Sequence, residues 1–217
     1  MSKTLWAAGA AIALAGGGMI TYGLTSTGDT HQAPVPAHTY EAADTEPAGY
    51  QFPDVAKVDG PRVVIPAIDV EVRLMDAAMS DGILAVPQAP HAGWYEGSRP
   101  PGSQQGATVI AGHVDYPTRE LTPFGRIHKL PQGSEIYVVD EDGTRHTYVA
   151  TALRLFEQDT LPPELFVSTG DPVLHLVTCA GDSVGEGGQW NYEYNLVVTA
   201  ELVSSEPTTE ARPGLGR

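Results

Sequence analysis

The chain has 217 residues, of which 41% are hydrophobic, enough to form one domain with a substantial core. Its formal net charge is −15, from 12 Lys and Arg against 27 Asp and Glu, and such a surface repels phosphate groups, so a nucleic-acid-binding protein is not expected. The single cysteine, Cys179, excludes an intramolecular disulfide and any zinc site built from several cysteines.

The first predicted element is a transmembrane helix, because residues 5–24 carry no charge. At a rise of about 1.5 Å per residue, a helix of this length spans a hydrocarbon core of about 30 Å. Lys3 before it and Asp29 after it predict a cytoplasmic N-terminus at residues 1–4 and an extracellular domain, so we expect a single-pass protein of the cell membrane. A cleaved signal peptide is the alternative, since the glycines at positions 16–18 weaken the helix. Both readings export the domain.

Two segments in which apolar residues show no regular spacing flank the predicted folded domain. Residues 25–60 are rich in Ala, Pro, Thr, Asp and Glu, which is typical of a disordered spacer, here an extracellular one. Residues 204–217 have the composition of a disordered tail. The domain is therefore predicted to occupy residues 61–203.

Strand-like runs dominate this domain, and helices are brief. Asp142-Gly143 is a strong turn dipeptide between two β-rich arms and predicts a hairpin. Short helices are predicted only near residues 124–130 and 162–166. The other runs predicted as strands are RVVIPAI, VEVRLM, GILAVP, GATVIAGHV, PVLHLVTC and NLVVTAELV. Together they make about eight short strands, so we predict an all-β barrel or sandwich.

Cys179 follows an apolar run, residues 173–177, and is itself followed by Ala-Gly-Asp. A residue at the end of a strand that enters a glycine-rich loop can be presented to a substrate by a rigid scaffold. Free cysteine is also among the most buried residue types, so core packing explains the position equally well. As a nucleophile the thiol needs a neighbouring base or cation, because the thiolate is the attacking form.

Among the seven histidines, His113 is the candidate for that base, and a structural role for its side chain is the alternative. The run TVIAGHVD is β-rich, so His113 and Cys179 both end hydrophobic strands, and neighbouring strands could bring them together. His175 is four residues before Cys179 on the same extended segment. At strand rise this separation is roughly 13 Å, too far for a hydrogen bond. Asp115 could orient His113 or could form a solvated pair with it.

These segments together resemble a sortase, and most of all the actinobacterial class usually called class F. The resemblance is carried by VIAGHVD, LHLVTCAG and NLVVTAELV in that order, with IPAIDV near the domain start. It covers residues 62–203, essentially the whole predicted domain. Sortases have an eight-stranded β-barrel with short helices, so the resemblance implies that fold, here preceded by one N-terminal transmembrane helix.

The resemblance implies a membrane-anchored cysteine transpeptidase of Gram-positive bacteria. Its substrates would be surface proteins with a C-terminal sorting signal of the Leu-Pro-x-Thr-Gly type, cleaved after Thr through a thioacyl enzyme. The acceptor would be an amine of a peptidoglycan precursor or of a pilus subunit. Cys179 would be the nucleophile and His113 the general acid and base. Thr178, Tyr194 and Trp94 are candidate residues of the substrate groove, and no cofactor or metal is expected.

One position departs from the family pattern. Sortases typically carry an arginine just before the last strand, but here that place is Tyr194 or Asn195, and no Lys or Arg occurs between residues 155 and 211. The Asn195 amide can donate an oxyanion hydrogen bond, typically worth about 3–4 kcal/mol, so Asn195 is the third predicted catalytic residue. The alternatives are weak or lost activity, or a basic residue from another segment. The candidates for that residue are Arg154, Arg126 and Arg119.

Three other functions fit parts of the sequence. A catalytically weak or inactive sortase-like domain would bind a sorting peptide without turnover, which the missing arginine motivates. A non-enzymatic anchored β-domain would bury Cys179 in its core, and the reactivity of the thiol separates this reading from an enzyme. A cysteine L,D-transpeptidase is disfavoured, because its Ser-x-Gly-Cys signature is absent.

Overall fold

The computed structural model of the chain describes residues 32–33, 36, 39, 59–80, 82–116, 118, 120–158, 160–184 and 191–208. The predicted transmembrane helix, residues 5–24, lies outside them, as do the predicted cytoplasmic N-terminus, most of the spacer and residues 209–217. Among the residues that are described, no helix is both long and apolar enough to cross a membrane.

The described residues form strands of two to 17 residues and three 3₁₀ helices. The strands are β1 (Gln32–Ala33), β2 (Arg62–Ile65), β3 (Val70–Ala77), β4 (Met79–Ser80), β5 (Ile83–Leu84), β6 (Ala92–Tyr95), β7 (Ala107–Gly112), β8 (Glu135–Val139), β9 (Thr144–Glu157), β10 (Val173–Val184) and β11 (Asn191–Pro207). The helices are Pro66–Ile68, Phe124–Lys129 and Pro163–Phe166, and the last two lie where short helices were expected.

Eight of the strands close into a barrel in the order β10-β11-β9-β8-β2-β3-β6-β7. Closure comes from the parallel pairing of β7 with β10, and apart from the parallel β3–β6 pair the other contacts are antiparallel. The all-β barrel of about eight strands with short helices is thus confirmed. β1 belongs to the predicted spacer and pairs with Gly181 and Asp182 of β10. β11 pairs with β9 as far as Pro207, past the predicted domain end at residue 203.

One predicted barrel strand is wrong. The run GILAVP contributes only β5, which pairs with β4 in a separate two-stranded hairpin. The barrel strand in this part of the chain is β6, which has four residues and contains a glycine. Gly93 is required there, because a Cβ atom would lie 2.6 Å from Cδ of Pro87 and 2.7 Å from Cβ of Ala77. A run of four residues that includes a glycine is too short to show the sequence pattern of a strand, so β6 was not predicted.

Buried side chains of the barrel wall belong to two hydrophobic clusters. The interior cluster takes residues from all eight barrel strands, among them Ile110 of β7 and Leu196 of β11. The second cluster, called the outer cluster below, lies on the other face of β7, β10 and β11. The helix Pro163–Phe166 covers it with Leu165, and the β4–β5 hairpin covers it with Leu84. Cys179 belongs to this outer cluster.

Candidate active site

Cys179 and His113 lie at the same level on two neighbouring parallel strands. His113 directly follows the end of β7, whereas Cys179 lies within β10, which continues to Val184 and does not end at the thiol as predicted. Val177 of β10 is opposite Ala111 of β7, and each of the two residues comes two positions later in its own segment. Cys179 packs in the outer cluster, and the His113 imidazole forms a hydrogen bond with the main chain of Val86, which packs against the same cluster. The structure therefore brings the predicted nucleophile and the predicted base to one face of the barrel wall.

The main chain at His113 is held by the segment that follows it. The Thr122 hydroxyl donates to the His113 carbonyl, and the main-chain N–H of Gly125 donates to the Thr122 oxygen at 3.0 Å. Gly112 allows this close packing, because a Cβ atom there would lie 2.5 Å from Cγ of Phe124. The strand end that carries the imidazole is thus fixed against the helix Phe124–Lys129.

Thr178 joins β10 to the end of β7. Its Oγ1 donates to the carbonyl oxygen of Gly112 at 2.8 Å, and the residue is only 1% exposed. Thr178 precedes Cys179, and Gly112 precedes His113, so one buried hydrogen bond sets the spacing between the segments that carry both groups. The side chain acts from the interior side of the wall, since it is opposite Leu196 of the interior cluster. This differs from the predicted groove contact.

The Cys179 thiol is strongly desolvated. The residue is 6% exposed, and burial, with a smaller contribution from the Asp115 carboxylate, raises the thiol pKa from 9.0 to about 12. Burial also lowers the pKa of His113, and it outweighs the hydrogen bond to Val86 and the charge of Asp115, which both act to raise it. At neutral pH the resting site therefore holds a neutral thiol and a neutral imidazole, and the thiolate–imidazolium pair is a minor form.

Asp115 is the acidic group of the site. Its Oδ2 accepts a hydrogen bond from the Tyr192 hydroxyl at 2.7 Å, and its negative charge acts to raise the pKa of both Cys179 and His113. An isolated bridge with Leu121 also holds the main chain of Asp115. The sequence singled out Asp115 but not Tyr192, which is 77 residues away and carries no local signal of this contact.

Asn195 lies directly opposite Cys179 in the β10–β11 ladder, so the two side chains share one face. It is 0% exposed, and its Nδ2 donates to the main-chain carbonyl of Gln158 at 2.8 Å. This bond uses one of the two amide protons, and Oδ1 has no partner among the described residues. The structure thus brings the third predicted residue to the thiol and also gives it an anchoring contact with the segment after β9.

The other two predicted groove residues lie on the interior face of the wall. Tyr194 is opposite Ala180, a member of the interior cluster, and packs against that cluster. Trp94 is opposite Ile110, packs against the same cluster, and donates from Nε1 to the Arg99 carbonyl at 3.1 Å. Because side chains alternate along a strand, neither is brought together with the thiol.

Two of the three arginines considered in place of the family arginine interact with other groups, Arg126 through a hydrogen bond and Arg154 through its charge. Arg126 donates to the main-chain oxygen of Asp69 at 3.0 Å. Burial, and then the nearby charge of Arg154, lower the pKa of His175 to about 4. Arg119 lies outside the described residues. In the part of the chain that is described, no group of three or more His, Cys, Asp or Glu side chains is arranged to hold a metal ion.

Comparison with known proteins identifies the family. The model of the sortase domain matches residues 63–203. Sortase A of Listeria monocytogenes has a TM-score of 0.52 at 19% identity, over 69% of this chain and 90% of that one. Sortase E1 of Streptomyces coelicolor, with a tripeptide in its active site, has a TM-score of 0.51 at 21% identity, over 71% of this chain and 93% of that one. Sortase A of Corynebacterium diphtheriae has a TM-score of 0.51 at 19% identity, over 71% of this chain and 65% of that one. A comparison with curated protein sequences finds no match.

The solved structures are distant in sequence and support the fold alone, whereas the family model covers most of the barrel, including the segments that carry His113 and Cys179. Members of that family are generally cysteine transpeptidases, and the chain's single cysteine lies inside the matched residues. Since the match extends over most of its length, the chain belongs to the sortase family.

Proposed function

We propose that the chain is a cysteine transpeptidase in which Cys179 is the nucleophile and His113 is the general acid and base. The observation that carries the proposal is the level placement of these two residues on the parallel strands β10 and β7, in a chain of the sortase family. A thiol and an imidazole on one face can support acyl transfer, because the imidazole accepts the thiol proton and later returns a proton to a leaving amine.

The proposed reaction starts from the neutral pair. His113 accepts the Sγ proton of Cys179, and the thiolate attacks the carbonyl carbon of the scissile peptide bond. The C–N bond breaks as the imidazolium gives its proton to the leaving amine, and a thioester remains on Cys179. An incoming amine then attacks the thioester while His113 accepts its proton. The C–S bond breaks, a new amide forms, and the thiolate recovers the proton from His113.

Asn195 is proposed as a hydrogen-bond donor to the oxyanion of each tetrahedral intermediate. Its place opposite Cys179 supports this role, and so does the amide proton that remains after the bond to Gln158. Removing a donor of this kind typically lowers the rate by about 10²–10³-fold. The amide would take over part of the role that an arginine has in other sortases, since no Lys or Arg occurs between residues 155 and 211.

The substrates proposed are surface proteins with a sorting signal of the Leu-Pro-x-Thr-Gly type, and the acceptor is an amine of a peptidoglycan precursor or of a pilus subunit. The sequence blocks around His113 and Cys179 support this proposal through their resemblance to class F sortases of actinobacteria. The uncharged run at residues 5–24 supports a membrane anchor with the catalytic domain outside the cell.

Intact-mass analysis of the full-length chain tests the proposed activity. Incubation with Leu-Pro-x-Thr-Gly peptides should give an adduct with the mass of the acyl fragment, which an excess of amine removes. Cys179→Ala should give none, and Asn195→Ala should slow adduct formation about 10²–10³-fold. Asn191→Ala is the matched control, because it removes an amide from the same strand away from Cys179. No adduct on a folded chain with any of several signals would contradict the proposal.

Peptide binding without turnover is the second candidate. It is favoured by the absence of a basic residue on the last strand, β11, and by a thiol pKa of about 12, since both disfavour the thiolate. Saturable binding of a sorting peptide without any adduct on Cys179 would establish this function in place of the first.

A further inference from the structure

Gln158 carries a buried amide that no other described group satisfies. The residue follows β9 directly and is 7% exposed. Neither its Nε2 nor its Oε1 has a hydrogen-bond partner among the described residues. A buried amide without partners costs free energy that an apolar side chain of similar size would avoid. The described part of the fold therefore gives no reason for a glutamine at this position.

Gln158 lies on the same face of the wall as Cys179. Phe156 of β9 is opposite Asn195, and Asn195 is opposite Cys179. The main-chain N–H of Gln158 donates to the Glu193 carbonyl at 2.9 Å, which continues the β9–β11 pairing by one step. Alternation along the strand then puts Gln158 on the face of Phe156. The bond from Asn195 Nδ2 to the Gln158 carbonyl fixes the main chain at this point.

Two other buried polar side chains, on β10 and β11, have unsatisfied atoms. Asn195 Oδ1 and Ser183 Oγ lack partners in the part of the chain that is described, and the two residues are 0% and 5% exposed. Ser183 follows Cys179 on β10 and is opposite Tyr192 of the outer cluster. Because these atoms include acceptors as well as donors, they fit a neutral ligand that offers both, such as a peptide main chain.

We propose that the Gln158 carboxamide binds the main chain of the peptide acyl donor beside Cys179. Nε2 donates to a peptide carbonyl oxygen, and Oε1 accepts from a peptide N–H. This assignment rests on the proposed function, because it names a residue that holds the peptide that reacts. It also explains how a site without an arginine on its last strand holds an extended peptide, since a neutral amide provides a directed donor and acceptor in its place.

The test measures peptide binding separately from chemistry. In full-length Cys179→Ala, which cannot form a thioester, the Kd of fluorescent Leu-Pro-x-Thr-Gly peptides is measured by anisotropy with and without Gln158→Met. Methionine has a similar length and lacks the amide, so binding should weaken about tenfold. The midpoint of thermal unfolding should stay the same or rise. Gln104→Met changes an exposed glutamine and is the matched control, for which Kd should not change.

Three results would overturn the assignment. One is an equal Kd with and without Gln158→Met. Another is weaker binding together with a lower midpoint of unfolding, because the amide would then support the fold. The last is that Cys179→Ala binds no peptide of the panel. The proposed function is judged independently by the adduct on the wild-type chain. An adduct combined with unchanged binding in Gln158→Met rejects only the role of Gln158.

Discussion

The burial of Cys179 predicts a thiol that reacts slowly in the native chain. The residue is 6% exposed, and its pKa rises from 9.0 to about 12, first through burial and then through the charge of Asp115. At pH 8 this difference lowers the thiolate fraction about a thousandfold relative to the unfolded chain. Since the thiolate is the reacting form, alkylation by iodoacetamide should be about a thousandfold slower in the native chain than in denaturant.

The same difference makes the stability of the fold depend on pH. Above pH 9.0 the unfolded chain loses the thiol proton while the native chain keeps it, so the stabilising contribution is complete below 9.0 and is lost as the pH rises towards 12. Between pH 8 and pH 10 the loss is about 1.4 kcal/mol. The free energy of unfolding of the wild-type chain, minus that of Cys179→Ala, should fall by this amount, because other titrating groups cancel in the difference.

Mass spectrometry of the alkylated chain and urea titrations at pH 8 and pH 10 measure both effects. Equal alkylation rates in the native and unfolded chains, together with a stability difference that does not change with pH, would refute the burial of the thiol. If Cys179 alkylates slowly and yet forms the acyl adduct, then the bound peptide, and not a resting thiolate, activates the cysteine.

Three further predictions concern the groups that position and tune the site. Thr178→Val removes the hydrogen bond to the Gly112 carbonyl and leaves that oxygen unpaired, so the free energy of unfolding in urea should fall by about 1–3 kcal/mol. Thr178→Ser keeps the hydroxyl, so its free energy of unfolding should fall less. Equal losses in the two variants would count against this reasoning. The rate of transpeptidation, plotted against pH, should have an acid limb whose midpoint lies below pH 6.5, because the pKa of His113 is lowered. A midpoint above pH 6.5 would contradict the lowered pKa of His113. Asp115→Asn removes a charge that raises the pKa of both groups, so it should move this limb to lower pH and speed the alkylation of Cys179, whereas an unmoved limb would exclude Asp115 as a tuning group.

Much of the barrel could be predicted, because most of its strands are β-rich runs bounded by turn residues. The hairpin of β8 and β9 turns at Gly143, whose φ of 76° suits the glycine that the sequence places there. β6 could not be predicted in this way. It has only four residues, and its pairing with β3 is parallel, so no hairpin turn signals it. Its contact depends on the close approach at Gly93, which becomes visible only when the chain is folded.

The meeting of Cys179 and His113 could be predicted, because each ends an apolar run and neighbouring strands bring such ends together. Which side chains face the barrel interior and which face outward could not be predicted. β7 is buried along its whole length, and so are residues 174–180 of β10 and 195–198 of β11, so these stretches lack the alternation that distinguishes an inner face from an outer one. The predicted groove residues therefore included Thr178 and Tyr194, which face the interior. The contact between Asp115 and Tyr192 joins segments far apart in the chain, and no local pattern announces it.

The charges around Cys179 disfavour a thiolate in the resting site. Burial and the carboxylate of Asp115 both oppose a resting thiolate, and the last strand carries no arginine to offset them. A neutral amide such as that of Asn195 stabilises a localised oxyanion within hydrogen-bond distance far better than it stabilises a diffuse, buried sulfur anion. Negative charge is therefore most favourable on the carbonyl oxygen of the substrate. In the proposed reaction, proton transfer to His113 and attack on the peptide are therefore closely coupled, and binding of the acyl donor controls both.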